Sequence, residues 1–171
     1  LLSALGMPDA SIQISQHPLD EICLNGKDEI VFYFSANKGG NLKEITKVAS
    51  GGEFSRLMLC IKYLMANKTQ LPTIIFDEID TGVSGEIAHK MGALMQQMSN
   101  SIQVIGITHL PQVAAKGHEQ LHVKKDNTQA VAETKLSKLN REERIQELAK
   151  MLSGSEVTAT AVSNAQELLG A

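Results

Sequence analysis

Two short apolar runs, residues 73–76 and 102–107, flank a segment carrying Ile87, Met91, Leu94, Met95 and Met98 at helical spacing. Strand, helix and strand in that order pack as a right-handed parallel crossover. Because both runs are mostly continuous apolar residues, the sheet is expected to be covered on both faces. The first run leads straight into Asp77 and Glu78, and the second into Thr108 and His109. The carboxyl ends of parallel strands form the rim where α/β ligands bind, so these polar residues are expected to share one crevice.

Upstream, Leu1 to Leu5 read as the last turn of a helix, stopped by Gly6 and Pro8. Residues 11–15 alternate and 29–35 are rich in Val, Phe and Tyr, which suits two strands around a turn at Asn25 and Gly26, while 42–49 read as irregular. A helix is expected over 54–67, with Leu57, Ile61, Leu64 and Met65 on its apolar face. Downstream come a helix over 86–98, a short one over 110–116 and a hairpin of 121–125 with 130–136 around Asp126-Asn127-Thr128-Gln129. Asn140 is expected to cap a helix to about Leu152, stopped at 153–155, and a final helix covers 156–169.

The 171 residues suffice for one domain with a sizeable core, and 43% hydrophobic with 20% charged content is ordinary for a globular chain. No Trp and 4% aromatic residues argue against a base-stacking surface, and a net charge of -3 against a global basic field for DNA. Cys23 and Cys60 stand far apart without metal-ligand spacing, so reduced, partly buried thiols are expected, with neither disulfide nor zinc. No stretch has the length of a membrane span and no signal peptide is visible. Starting at Leu1 instead of Met, the chain is expected to be part of something longer.

Three constellations carry chemistry. Ser50-Gly51-Gly52-Glu53 precedes the first long helix. Two glycines let the backbone approach a phosphate, and a helix N-terminus offers free N–H groups and a positive dipole end. The plainer alternative is Ser50 as an N-cap with the glycines easing the turn. Asp77 has the hard oxygens that suit Mg²⁺, held through water, and Glu78 could orient or deprotonate an attacking water. The alternative is a solvated acidic turn, which four consecutive apolar residues before the pair disfavour. His109 is placed to sense a terminal phosphate, or is an exposed or structural histidine. The loop 80–85 after the acids is either a plain turn or a contact for a partner subunit. Arg56 is a solvated helix charge or a relay of nucleotide state, and His17, His89, His118 and His122 read as surface positions.

Taken in order, these segments resemble ABC-type ATPases. Ser50-Gly51-Gly52-Glu53 is similar to their signature motif, residues 73–78 to the Walker B segment, 81–84 to the D-loop and His109 to the switch histidine. More narrowly, 48–56, 76–85 and 108–114 resemble the bacterial RecN family of SMC-like DNA repair ATPases, as does the ending from Glu147 to Leu152 with a further helix. The resemblance implies the C-terminal lobe of an ATPase head, with a parallel-sheet P-loop NTPase core, helices and a small antiparallel portion. Residues 1–6 would then be the end of a coiled-coil arm. It also implies ATP and Mg²⁺ as cofactors. Ser50, Gly51, Gly52 and Glu53 would face the nucleotide of a second head in trans. Asp77 (metal), Glu78 and His109 (catalysis), and Gly82 and Ser84 of the D-loop, would serve this head in cis. The implied partners are the head's own Walker A half, a second head copy and, through the full-length protein, DNA in the bacterial cytoplasm and nucleoid.

Two departures qualify the resemblance. Ser84 stands where the D-loop generally ends in Asp, and the chain has no G-x-x-x-x-G-K-[ST] segment: its one Gly-Lys pair, Gly26-Lys27, is followed by Asp28. The chain alone is therefore expected to be inactive. Alternatives from other classes are a non-catalytic dimerisation module, against which Glu78 argues, and a transporter nucleotide-binding subunit, against which Ile79 in place of Pro argues.

Overall fold

The computed structural model describes residues 1–47, 51–66, 68, 71–126, 133–154 and 156–170, so Ser50 and the expected turn at 127–129 lie outside the described residues. Near the start, Leu5 N–H bonds back to Leu1 C=O (3.1 Å) and Gly6 ends the turn at φ 79°. Leu5 is buried here against the main core.

Strands β1 (Ser11–Cys23) and β2 (Gly26–Ser35) form an antiparallel hairpin paired from Ser11↔Ser35 to Pro18↔Asp28, with an irregularity before Cys23↔Gly26. Both run well beyond the expected strands. Polar residues such as His17, Asp20 and Lys27 do not end them, because main-chain bonds satisfy the backbone while exposed side chains face water. The segment expected to be irregular contains a third strand, β3 (Lys43–Glu44), paired to Phe34 and Tyr33, and a 3-10 turn over Ile45–Lys47. Ile45 is drawn in because it packs on the cluster of Met7, Phe34, Ala36 and Leu57.

Helix α1 (Gly51–Ala66) starts directly at the glycine pair. Its buried side chains are Leu57, Leu59, Cys60 and Ala66, whereas Leu64 (55% exposed) and Met65 (39%) lie open, contrary to the expected apolar face. The helix touches two clusters at once, Leu57 in one and Leu59 with Cys60 in the other, which turns its buried side away from 64 and 65.

Strands β4 (Thr73–Asp77) and β5 (Gln103–Ile107) pair in parallel, from Thr73↔Gln103 to Asp77↔Ile107. Helix α2 (Gly85–Met98) makes the crossover and buries Ala88, Met91, Met95 and Met98. Ile74 and Phe76 are buried on one sheet face, but Ile75 (62%), Ile105 (41%) and Ile107 (51%) are exposed on the other. The expectation of a sheet covered on both faces is thus corrected: among the described residues, helices cover the face of Ile74 and Phe76 and leave the other open. Gly92 sits where α3 (Pro111–Ala114) crosses α2, since a Cβ there would meet Gln112 O at 3.0 Å.

Strands β6 (Leu121–Asp126) and β7 (Glu133–Lys138) form the second hairpin; Asp126 pairs with Glu133, and the expected strand residues 130–132 lie outside the described residues. Helix α4 (Arg141–Ser153) opens on a reciprocal cap: the Asn140 side chain accepts from Glu143 N–H (3.0 Å), and Glu143 accepts from Asn140 N–H (2.8 Å). Helix α5 (Ala159–Leu168) begins later than expected, where Thr158 accepts from Ala161 N–H (3.1 Å). Leu148 and Ala149 of α4 pack on Ala161 and Ala165 of α5 and on Ala115. Arg144 ties this unit to the segment after α3 by donating to the carbonyls of Gly117 (2.7 Å) and His118 (3.2 Å). Of the thiols, Cys60 is buried and Cys23 exposed, so only the former matches the expected burial.

Candidate functional site

The parallel register places Asp77 opposite Ile107, so the ends of β4 and β5 form one rim, with Glu78 and His109 immediately beyond it. Glu78 extends the ladder by one bond, its N–H donating to Ile107 C=O (3.0 Å). The chain then turns sharply. Glu78 is, among the described residues, the one non-glycine residue at positive φ, 48°. For an L-residue that conformation costs roughly 1–2 kcal/mol and persists where surrounding bonds enforce it. Here they do: Glu78 C=O accepts from both Thr81 N–H (3.1 Å) and the Thr81 hydroxyl (2.9 Å). Both carboxylates are exposed.

Inside this turn, Asp80 is 1% exposed. Its Oδ2 accepts a hydrogen bond from the Thr108 hydroxyl, which itself accepts from Leu110 N–H (3.0 Å). Sequence reasoning named Asp80 only as the start of the loop 80–85 and Thr108 only as the step before His109, and linked neither to the other. The available signal was their position, one at the first turn after β4 and the other at the last step before His109. His109 itself is exposed and lies in the chain between Thr108 and Leu110, which that bond joins.

The glycine pair reaches the same region. A Cβ on Gly52 would lie 3.3 Å from the carbonyl oxygens of Thr81 and Gly82, so α1 begins against the turn that follows Glu78. Gly82 has φ 74° and Val83 behind it is buried, which anchors the loop to the core. Ser84 caps α2 in extended conformation without a side-chain cap bond, leaving its hydroxyl exposed at the helix N-terminus. Gly51 is exposed and Glu53 partly buried in the first turn of α1. The fold thus brings Gly52, Asp77, Glu78, Gly82 and His109 to one end of the molecule, with Gly51, Glu53 and Ser84 beside them, while Ser50 lies outside the described residues.

The exposed Asp77 offers oxygen donors of the kind Mg²⁺ takes, and the glycine-led start of α1 offers N–H groups of the kind phosphate takes. Among the described residues no group of three His, Cys, Asp or Glu side chains converges to hold a metal. A Mg²⁺ ion here would therefore need oxygens from water and phosphate beside Asp77, which is how that ion is commonly bound. Among the described residues, no helix is long and apolar enough to cross a membrane.

No family model matches the chain. Curated relatives do: it is 41% identical over 169 residues to the DNA repair protein RecN of Haemophilus influenzae, covering 98% of this chain and 30% of that protein. It is 47% identical over 144 residues to RecN of Vibrio cholerae, covering 84% of this chain and 26% of that protein. Among solved structures, it superposes on the Smc head domain from Pyrococcus yayanosii with TM-score 0.66 at 20% identity, over 86% of this chain and 27% of that one. A likeness at that identity speaks for fold, and the fold is that of an SMC-type ATPase head lobe. Over the part it spans, about 30% of the length of the first of these relatives, the chain belongs to the RecN family.

Proposed function

We propose that the chain is one lobe of an ATP-hydrolysing head in an SMC-like DNA repair protein of the bacterial cytoplasm. The observation that carries this reading is the Glu78 turn, a left-handed carboxylate residue pinned at the mouth of β4, beside Asp77 and on the same rim as His109. Glu78 is the general base that orients and deprotonates the attacking water. Asp77 would hold Mg²⁺, which when bound would offset the charge of the ATP phosphates as the terminal phosphoryl group passes to water. His109 contacts the terminal phosphate.

Ser50, Gly51, Gly52 and Glu53 serve the nucleotide of a second head, offering backbone N–H groups at the start of α1. Gly82 and Ser84 line the seam between heads. The phosphate-cradling loop comes from elsewhere in the longer protein, since this chain contains no such sequence. The open apolar face of Ile75, Ile105 and Ile107 supports a neighbouring lobe against this sheet. ATP-driven pairing of heads, with a coiled-coil arm leaving near residues 1–6, would alter how the intact protein holds broken DNA.

Mixing this chain with the polypeptide that carries the phosphate loop is expected to give Mg-ATP hydrolysis that neither piece has alone. Hydrolysis by this chain alone, or none in a complex that forms, would overturn the reading.

A further inference from the structure

We infer that Asp80 and Thr108 form a latch that fixes the Glu78 turn relative to His109, making both of them positioning residues for the hydrolysis proposed above, on which this inference rests. Burying a carboxylate is costly unless it is hydrogen-bonded, yet Asp80 is 1% exposed. Among the described residues its Oδ1 has no partner, so the Thr108 hydroxyl on Oδ2 is its one side-chain bond. Such a residue is a poor choice for filling space, and its place in the chain suggests another use.

The bonds close a ring. Glu78 N–H holds Ile107 C=O, Ile107 continues to Thr108, Thr108 holds Asp80, and Asp80 returns through Ile79 to Glu78. The backbone bond sits at one end and the side-chain bond at the other, so the loop after β4 cannot swing away from β5 without breaking one. Thr108 also accepts from Leu110 N–H, which braces the chain on both sides of His109. Neither Asp80 nor Thr108 needs to touch nucleotide for this purpose. Their effect is to keep a base and a phosphate sensor, which come from different strands, at constant separation.

The test uses the intact protein and compares Thr108→Val, which keeps shape and removes the hydroxyl, with Thr108→Ser, which keeps the hydroxyl. Thr108→Val is expected to lower kcat for Mg-ATP roughly tenfold with KM within about twofold, because positioning acts on the transition state. It is also expected to speed amide exchange at Leu110 roughly tenfold, since that N–H loses its acceptor. Thr108→Ser is expected to restore both. Asp80→Leu, which keeps the size and removes both acceptor oxygens, is expected to match Thr108→Val in kcat, and the double variant to be no worse than either single. Wild-type kcat and exchange in Thr108→Val, equal loss in Thr108→Ser, or additive losses in the double variant would overturn the latch. Should Glu78→Gln hydrolyse ATP like wild type, the reading of the site fails, while exchange at Leu110 still decides whether the latch exists.

Discussion

Gly52 and Gly82 pack backbone against backbone: the position of a Cβ on Gly82 is 3.7 Å from Gly52 Cα, and one on Gly52 is 3.3 Å from Gly82 O. The start of α1 therefore rests on the loop that follows Glu78. If α1 serves a second head's nucleotide, movement there reaches this head's own carboxylates through one contact. Gly82 is held at φ 74° as well, a conformation that favours glycine. Gly82→Ala is expected to lower unfolding free energy by about 1–2 kcal/mol, from the left-handed backbone alone. Denaturant titration of the two proteins checks this, and an unchanged midpoint would contradict it.

Ser50→Arg is expected to block ATP-driven pairing of heads while ATP binding persists. Under the trans assignment, a bulky cation in place of Ser50 obstructs close approach of a partner's phosphate, while Asp77 itself is left unchanged. Sedimentation with and without ATP reads pairing, and nucleotide titration reads binding. Unchanged pairing would remove the trans assignment.

Leu148→Ala probes the α4 and α5 unit. Leu148 is fully buried in the cluster of Ala115, Ala149, Ala161 and Ala165, so its truncation leaves a cavity between the two helices. A loss of about 2–5 kcal/mol is expected. Asn140→Ala, which removes one half of the reciprocal cap, is expected to cost about 1 kcal/mol. Denaturant unfolding ranks the two, and an equal or reversed ranking would contradict the packing described here.

Cys60 predicts a pH dependence. Burial pushes its thiol above the ordinary value near 9.0. The folded state then holds a proton that the unfolded state releases, so the contribution to stability is intact below that ordinary value. It is lost as pH rises through the folded value. Cys60→Ala is expected to flatten the decline in stability above pH ~9. Thiol labelling of the native protein is expected at exposed Cys23 and at Cys60 only on unfolding. Rapid labelling of both would contradict the burial.

The crossover of β4, α2 and β5 was legible because its apolar spacing is local: Met91, Met95 and Met98 lie on one face whatever surrounds them. The rim followed from it, since parallel strands end together, and the pairing of Asp77 with Ile107 agrees with the expected shared rim. The open side of the sheet was not legible. Ile75, Ile105 and Ile107 have the composition of a doubly covered strand, and composition records what a strand is suited to, not what this chain supplies. The extent of β1 and β2 was hidden for the opposite reason. Their pairing rests on backbone bonds, which polar side chains such as Asp20 and Lys27 do not reveal. Asp80 was legible only as the start of a polar loop, and three-dimensional contact with Thr108 is what shows it buried.

Substituting Glu78 by Gln in the intact protein tests the central claim most directly, because the amide keeps the size and turn while removing the base. Steady-state Mg-ATP hydrolysis is expected to fall by at least ~100-fold, the scale of a lost general base. ATP-dependent pairing of heads is expected to persist. Hydrolysis at the wild-type rate in Glu78→Gln would contradict the account.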